Sequence, residues 1–89
     1  MVDSVQPLHY HTSMPLIQRF LNCAIYINTR DHNPPHFHVR MVDGREAWVD
    51  IMTLELLTQG VARREIKDAL EWARNNRALL LAKFEEYNQ

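Results

Sequence analysis

The spacing of apolar residues changes period once along this chain, from two to 3.6. Cys23-Ala24-Ile25-Tyr26-Ile27-Asn28-Thr29 clusters β-branched and aromatic residues, with Cys23, Ile25 and Ile27 alternating, which predicts a strand. His36-Phe37-His38-Val39-Arg40-Met41 alternates cleanly. Phe37, Val39 and Met41 share one face; His36, His38 and Arg40 share the other. Ala47-Trp48-Val49-Asp50-Ile51 repeats the alternation. Between the first two strands, Arg30-Asp31-His32-Asn33-Pro34-Pro35 must break the ladder, since proline has no N–H to donate. The short segment before Cys23, Leu16-Ile17-Gln18-Arg19-Phe20, fits either a lead-in strand or one helical turn. Residues 52–60 read as a turn plus a short strand ending at Gly60. From Ala62 onwards Ile66, Ala69, Leu70, Ala73, Leu80, Leu81, Phe84 and Tyr87 fall on one stripe when each residue is rotated by ~100°. Trp72 and Leu79 lie off that stripe. Either they form a second apolar face on one long helix, or the helix breaks near Asn75-Asn76.

Register follows from the turn between the second and third strands. A two-residue Asp43-Gly44 loop would pair Phe37 with Asp50 and put a carboxylate in the core. A three-residue loop, Val42-Asp43-Gly44, pairs Val39 with Ala47 and Phe37 with Val49, with Gly44 at positive φ. The same register sets Arg40 opposite Glu46, His38 opposite Trp48 and His36 opposite Asp50. The fold class expected is α+β, a small antiparallel sheet of three or four strands followed by a long C-terminal helix or helical hairpin. A loosely ordered leader over residues 1–13, carrying His9 and His11, precedes a single domain over residues 14–89.

Composition narrows function mainly by exclusion. Ten Lys+Arg against eleven Asp+Glu leave a formal charge of -1, which disfavours a dedicated nucleic-acid binder. No apolar run approaches the ~20 residues of a membrane span. The single cysteine, Cys23, cannot form an intramolecular disulfide and reads as inert core, so a reduced, cytoplasmic setting is expected.

Candidate chemistry concentrates in Asp31-His32-Asn33-Pro34-Pro35-His36-Phe37-His38. Two histidines two apart on a strand have Cβ atoms ~7 Å apart and can converge on one ion, with Asp31 or His32 folding back to join them. The candidate ligands of a divalent transition metal are therefore Asp31, His32, His36 and His38. The competing reading is a rigid proline turn with half-exposed histidines and no cofactor. His36 opposite Asp50 also has the form of a base with an orienting carboxylate, making His36, His38 and Asp50 the candidate catalytic set. Trp72 and Leu79, with the basic pair Arg63-Arg64, form a candidate partner-binding face. Cations there oppose the helix dipole and invite an anionic partner.

Several stretches resemble one family of small prokaryotic proteins. They are Met14-Pro15-Leu16-Ile17 with Phe20, the Asp31-to-His38 motif with Val39, Val49-Asp50-Ile51 before Thr53-Leu54-Glu55, Arg63-Arg64, and Leu70-Glu71-Trp72-Ala73. The family is catalogued as domain of unknown function 4160. The resemblance spans residues 14 to about 86 and implies no established reaction. Members often sit beside another small gene, which implies a toxin–antitoxin-like or regulatory pair. Three functions follow as expectations, the first of them favoured over an enzyme. The first is a small module binding a protein partner or itself; the second is a hydrolase or nuclease using the histidines with or without metal. The third, direct DNA binding through Arg63, Arg64 and Lys67, is disfavoured by the neutral charge.

Overall fold

Strands form where β-branched and aromatic side chains cluster: β1 (Leu16–Arg19), β2 (Cys23–Tyr26), β3 (His36–Met41) and β4 (Glu46–Asp50). A computed structural model describes residues 14–88; the expected leader, with His9 and His11, lies outside the described residues. The strands make one antiparallel sheet in the order β1-β2-β3-β4. A 3-10 turn (Arg63–Ile66) then leads into α1 (Lys67–Asn75) and α2 (Arg77–Tyr87). The architecture is α+β, as the change of period indicates. The ambiguous segment before Cys23 is the edge strand β1, and the short strand expected over residues 52–60 is reduced to one bridge, Val49 to Leu56. That segment still covers the outer edge of β4: Leu57 N–H donates to Trp48 O at 2.8 Å and Asp50 N–H to Glu55 O at 2.9 Å.

The β3–β4 register is the one that keeps carboxylates out of the core. Val39 pairs with Ala47, Phe37 with Val49, His38 with Trp48 and His36 with Asp50. Gly44 closes the three-residue loop at φ 98°, a conformation glycine adopts without steric cost. Phe37, Val39, Ala47 and Val49 are fully buried on one face, beneath Ile66, Ala69, Ala73 and Leu80.

The helical region breaks at Asn76. Its backbone leaves helical geometry (φ -133°, ψ 27°), and its side-chain amide donates to Trp72 O at 2.8 Å, closing α1. The break lets Leu80 and Phe84 enter the core, and the off-stripe Trp72 is half-buried, with its ring edge-to-face against Phe20 at 6.3 Å. Arg77, in the middle of the predicted stripe, keeps its place by donating from Nε to Ile51 O.

Arg45 joins the β3–β4 turn to the 3-10 turn. It pairs with Glu65 Oε1 at 2.7 Å, while Glu65 Oε2 accepts the Ala62 N–H at 2.9 Å. The Arg45 hydrogen bond, followed by that backbone bond, holds the Glu65 carboxyl down to about 2 from an ordinary 4.5. A depressed folded-state pKa means the stabilisation is complete above the ordinary value and is lost as pH falls through the folded one. Thermal melts of Glu65→Gln should therefore lie below wild type at neutral pH, and the two should converge between pH 4.5 and about 2. A gap that is constant across that range would show that the charge contributes nothing.

Candidate metal centre

Strand alternation places His36 and His38 side by side on the face of β3 opposite Phe37 and Val39. That face is not solvated there: His36 is 4% exposed and His38 2%. The indole of Trp48, from β4, stacks on His36 (5.3 Å between centroids, 24°) and tilts against His38 at 4.9 Å. Phe84, from α2, closes the His36 side at 5.8 Å.

Each imidazole has its Nδ1 engaged by a group that can only accept. His36 Nδ1 lies 2.7 Å from Pro34 O, and His38 Nδ1 lies 2.6 Å from Glu46 Oε2. A carbonyl and an ionised carboxylate carry no proton, so both Nδ1 atoms donate. Glu46 is kept in that acceptor role by further donors, Trp48 Nε1 at 3.0 Å and Arg40 Nη2 at 3.3 Å. Burial works against ionisation of Glu46, but the bond from His38 and these donors hold its carboxyl below the usual range. In the neutral imidazole, donation at Nδ1 leaves a lone pair at Nε2. A third acceptor lies close to both: Asp31 Oδ2 is 2.9 Å from His36 Nε2 and 3.0 Å from His38 Nε2. Only the His38 contact has the alignment of a hydrogen bond. His36 Nε2 is buried without a hydrogen-bond partner.

Asp31 reaches this point from a loop that α2 holds in place. Arg30 takes the left-handed conformation (φ 59°), and its N–H donates to Tyr87 O at 3.4 Å. Asn88, just past the end of α2, accepts the Asp31 N–H on Oδ1, and its Nδ2 donates to Asn28 O at 3.1 Å and Phe84 O at 2.9 Å. The Asn33–Pro34 peptide bond is cis. For Asp31, burial again opposes ionisation; the His38 bond, the His32 N–H and, whenever the imidazoles carry a second proton, their charge outweigh it, holding the carboxyl below its ordinary value.

Asp31, His36 and His38 thus present ligand atoms all within 4.8 Å of one another. A tetrahedral ion ~2.0–2.1 Å from each ligand would hold them about 3.3 Å apart, within a few tenths of an ångström of the two contacts to Asp31. The other candidates go elsewhere. His32 is not part of the cluster: its side chain is 91% exposed, with Nδ1 4.0 Å from Asp31 Oδ1. Asp50 is opposite His36 in register, but its Oδ1 accepts the N–H groups of Met52 and Thr53 at 2.8 and 2.9 Å, so the turn after β4 has claimed it. Arg63 and Arg64 lie on the 3-10 turn, outside the cluster. Cys23 is buried, and burial followed by the Asp68 charge pushes its thiol pKa up, away from reactivity. Leu79 is exposed, but Trp72 is packed against Phe20 and so is not the uncovered anchor expected of a straight helix.

The motif that supplies Asp31, His36 and His38 lies inside a recognised family region. A family model described as "Domain of unknown function (DUF4160)" matches residues 22–85. The chain belongs to the DUF4160 family. No curated protein and no solved structure matches it. The matched region of this DUF4160 protein contains the three cluster residues and Glu46, whereas Asn88 lies beyond its end.

Sequence reasoning missed Glu46 and Asn88. Glu46 was legible as the residue diagonal to His38 on the same sheet face. Asn88 carries no local signal, because its partner Asp31 is 57 residues away.

The packing of Trp72 generates a direct test. Trp72→Ala should lower the melting temperature by ~4–8 °C or more, corresponding to at least ~1 kcal/mol for a domain of this size. The sedimentation profile should not change. A change in oligomeric state with unchanged stability would restore Trp72 as an interface residue.

Proposed function

We propose that this DUF4160 protein is a metal-dependent hydrolase in which Asp31, His36 and His38 hold one divalent transition-metal ion. The observation that carries the reading is the buried His36 Nε2, which faces Asp31 Oδ2 at 2.9 Å yet has no hydrogen-bond partner. Three acceptor atoms gathered out of water repel one another unless a cation lies between them. Protons on both Nε2 atoms could supply the charge, but a proton on His36 Nε2 does not point at the carboxylate. A metal ion meets lone pairs from all three and leaves both Nδ1 protons with their present acceptors. Ligating histidines typically donate the other ring N–H to a carboxylate or a backbone carbonyl, the arrangement His38 has with Glu46 and His36 with Pro34.

Three protein ligands would leave a fourth position for water or substrate, as catalytic sites do and closed structural sites do not. Imidazole with carboxylate favours zinc or iron(II) over calcium or magnesium. Held by Asp31, His36 and His38, such an ion would supply a Lewis acid that lowers the pKa of water towards ~7, the chemistry that hydrolysis of an ester or phosphodiester needs at neutral pH.

Protein purified without chelator should contain about one equivalent of metal, or titrate with Zn²⁺ to that stoichiometry, with His38→Ala showing neither. Metal-loaded protein should hydrolyse an activated ester or an activated phosphodiester, and His38→Ala should not. Less than about one-tenth equivalent, with no uptake of Zn²⁺, Mn²⁺ or Fe²⁺, overturns the metal centre itself. Uptake without hydrolysis of either substrate overturns only the hydrolase assignment. Because Asn88 holds the backbone of Asp31, Asn88→Ala should weaken metal affinity ~10–100-fold, the usual effect of losing a group that orients a ligand. Titration calorimetry beside a thermal melt separates that effect from simple unfolding.

A second reading, a small partner-binding module, is favoured by two turn tips. Leu21 and Val42 are 97% and 79% exposed and adjoin, since Val42 N–H donates to Asn22 O at 3.0 Å.

A further inference from the structure

We infer that the outer face of the 3-10 turn and α1 is a binding site for the phosphate backbone of a nucleic acid. A groove of about 300 Å³ is lined by Arg63, Arg64, Lys67, Leu70, Glu71 and Arg74. Four of these six residues are cations and one is a carboxylate, in a chain whose formal charge is -1, so the rest of the chain is net negative. The charge is therefore segregated onto one face.

These cations have few partners of their own. Arg63 donates through Nη1 to Leu54 O at 2.8 Å, which anchors its guanidinium. Arg64, Lys67 and Arg74 make no side-chain hydrogen bond or close ion pair among the described residues. Glu71 lies between them in sequence and pairs with none. Arg63, Arg64 and Lys67, at the N-terminal end, also oppose the helix dipole, an unfavourable placement that an anionic ligand would reverse, whereas Arg74 sits in the last turn of α1.

The chemistry of the lining selects phosphate over an acidic peptide. Protein interfaces have apolar or aromatic residues at their centres. Here the only apolar lining residue is Leu70, which is 6% exposed and committed to the core. A phosphodiester backbone needs no apolar contact, and guanidinium groups engage phosphate oxygens bidentately. From Arg63 on the 3-10 turn to Arg74 in the last turn of α1 the cations extend over ~17 Å, enough to meet several successive phosphates of one strand.

The test uses the full chain and a fluorescent mixed-sequence DNA duplex about 20 base pairs long, with anisotropy read across salt concentrations. Three to four phosphate contacts predict a slope of log K against log salt near about -3, and a loss on the order of 50–100-fold between ~50 and ~200 mM salt. Arg64→Ala and Arg74→Ala should each make the slope shallower by about 0.9, whatever the duplex sequence. Both side chains are exposed, so unchanged thermal melts are expected and would verify that the fold is intact. The cluster residues play no part in this site, so His38→Ala should bind the duplex as wild type does. Absence of binding at ~50 mM salt, or slopes unchanged in both variants, overturns the inference. So does polyglutamate displacing the duplex at equal charge concentration, which would assign the groove to an acidic protein partner.

Discussion

Because side chains alternate along a strand, the register in which β3 meets β4 decides both faces of the sheet at once. One face takes Phe37, Val39, Ala47 and Val49 into the core. The other brings His36 and His38 together and lays Trp48 beside them. A slip of one residue would put Asp50 against Phe37 and would also dissolve the histidine pair's surroundings. Packing therefore enforces the geometry of the polar cluster. The free energy that selects the register comes from the apolar face, at roughly 25 cal/mol per Å² of apolar surface buried.

The cluster is built from chain segments that have no local reason to meet. The histidines come from β3, Glu46 from β4, and Asp31 from the proline-rich loop, whose backbone is bonded to Asn88 after α2. Each ring is oriented by an acceptor on Nδ1 before any ligand is considered. That division leaves Nε2 of both rings facing inwards, towards a carboxylate that is itself aimed by its backbone. A surface cluster held only by flexible side chains could relax away from such crowding of acceptors. This one is enclosed by Trp48 and Phe84, and its members have little room to turn.

How far the sequence revealed this depends on the range of each interaction. Alternation and the turn at Gly44 are local, so strand identity, register and the pairing of His36 with His38 were all legible. The motif was also specific enough to indicate the family. Burial of the histidine face was not legible, since alternation of polar and apolar residues ordinarily marks a solvated face. Here the aromatic rings of Trp48 and Phe84 replace the solvent. Asp50 misled for a related reason: register placed it opposite His36, but nearby backbone N–H groups captured its carboxylate. The helix offered two solutions of equal periodicity, one straight with an exposed Trp72 and one broken at Asn76. Phe20, from the end of β1, decides between them by giving Trp72 a packing partner.

Net charge is a coarse guide to a single groove, because it averages over distances that the solvent does not. At physiological salt the Debye length is ~8 Å, so a ligand over the groove responds to charges within about that radius. Arg63, Arg64 and Lys67 lie within about that distance along the 3-10 turn and the start of α1, Arg74 stands two turns further on, and Glu71 is the one carboxylate lining the groove. Glu85 and Glu86, on α2 and outside the groove lining, weigh equally in the formal sum. A near-neutral total is therefore compatible with a local field strong enough to hold an anion. Helical geometry produces that field: residues spread over twelve positions of sequence are gathered onto one face, where a sum over the whole chain cannot register them.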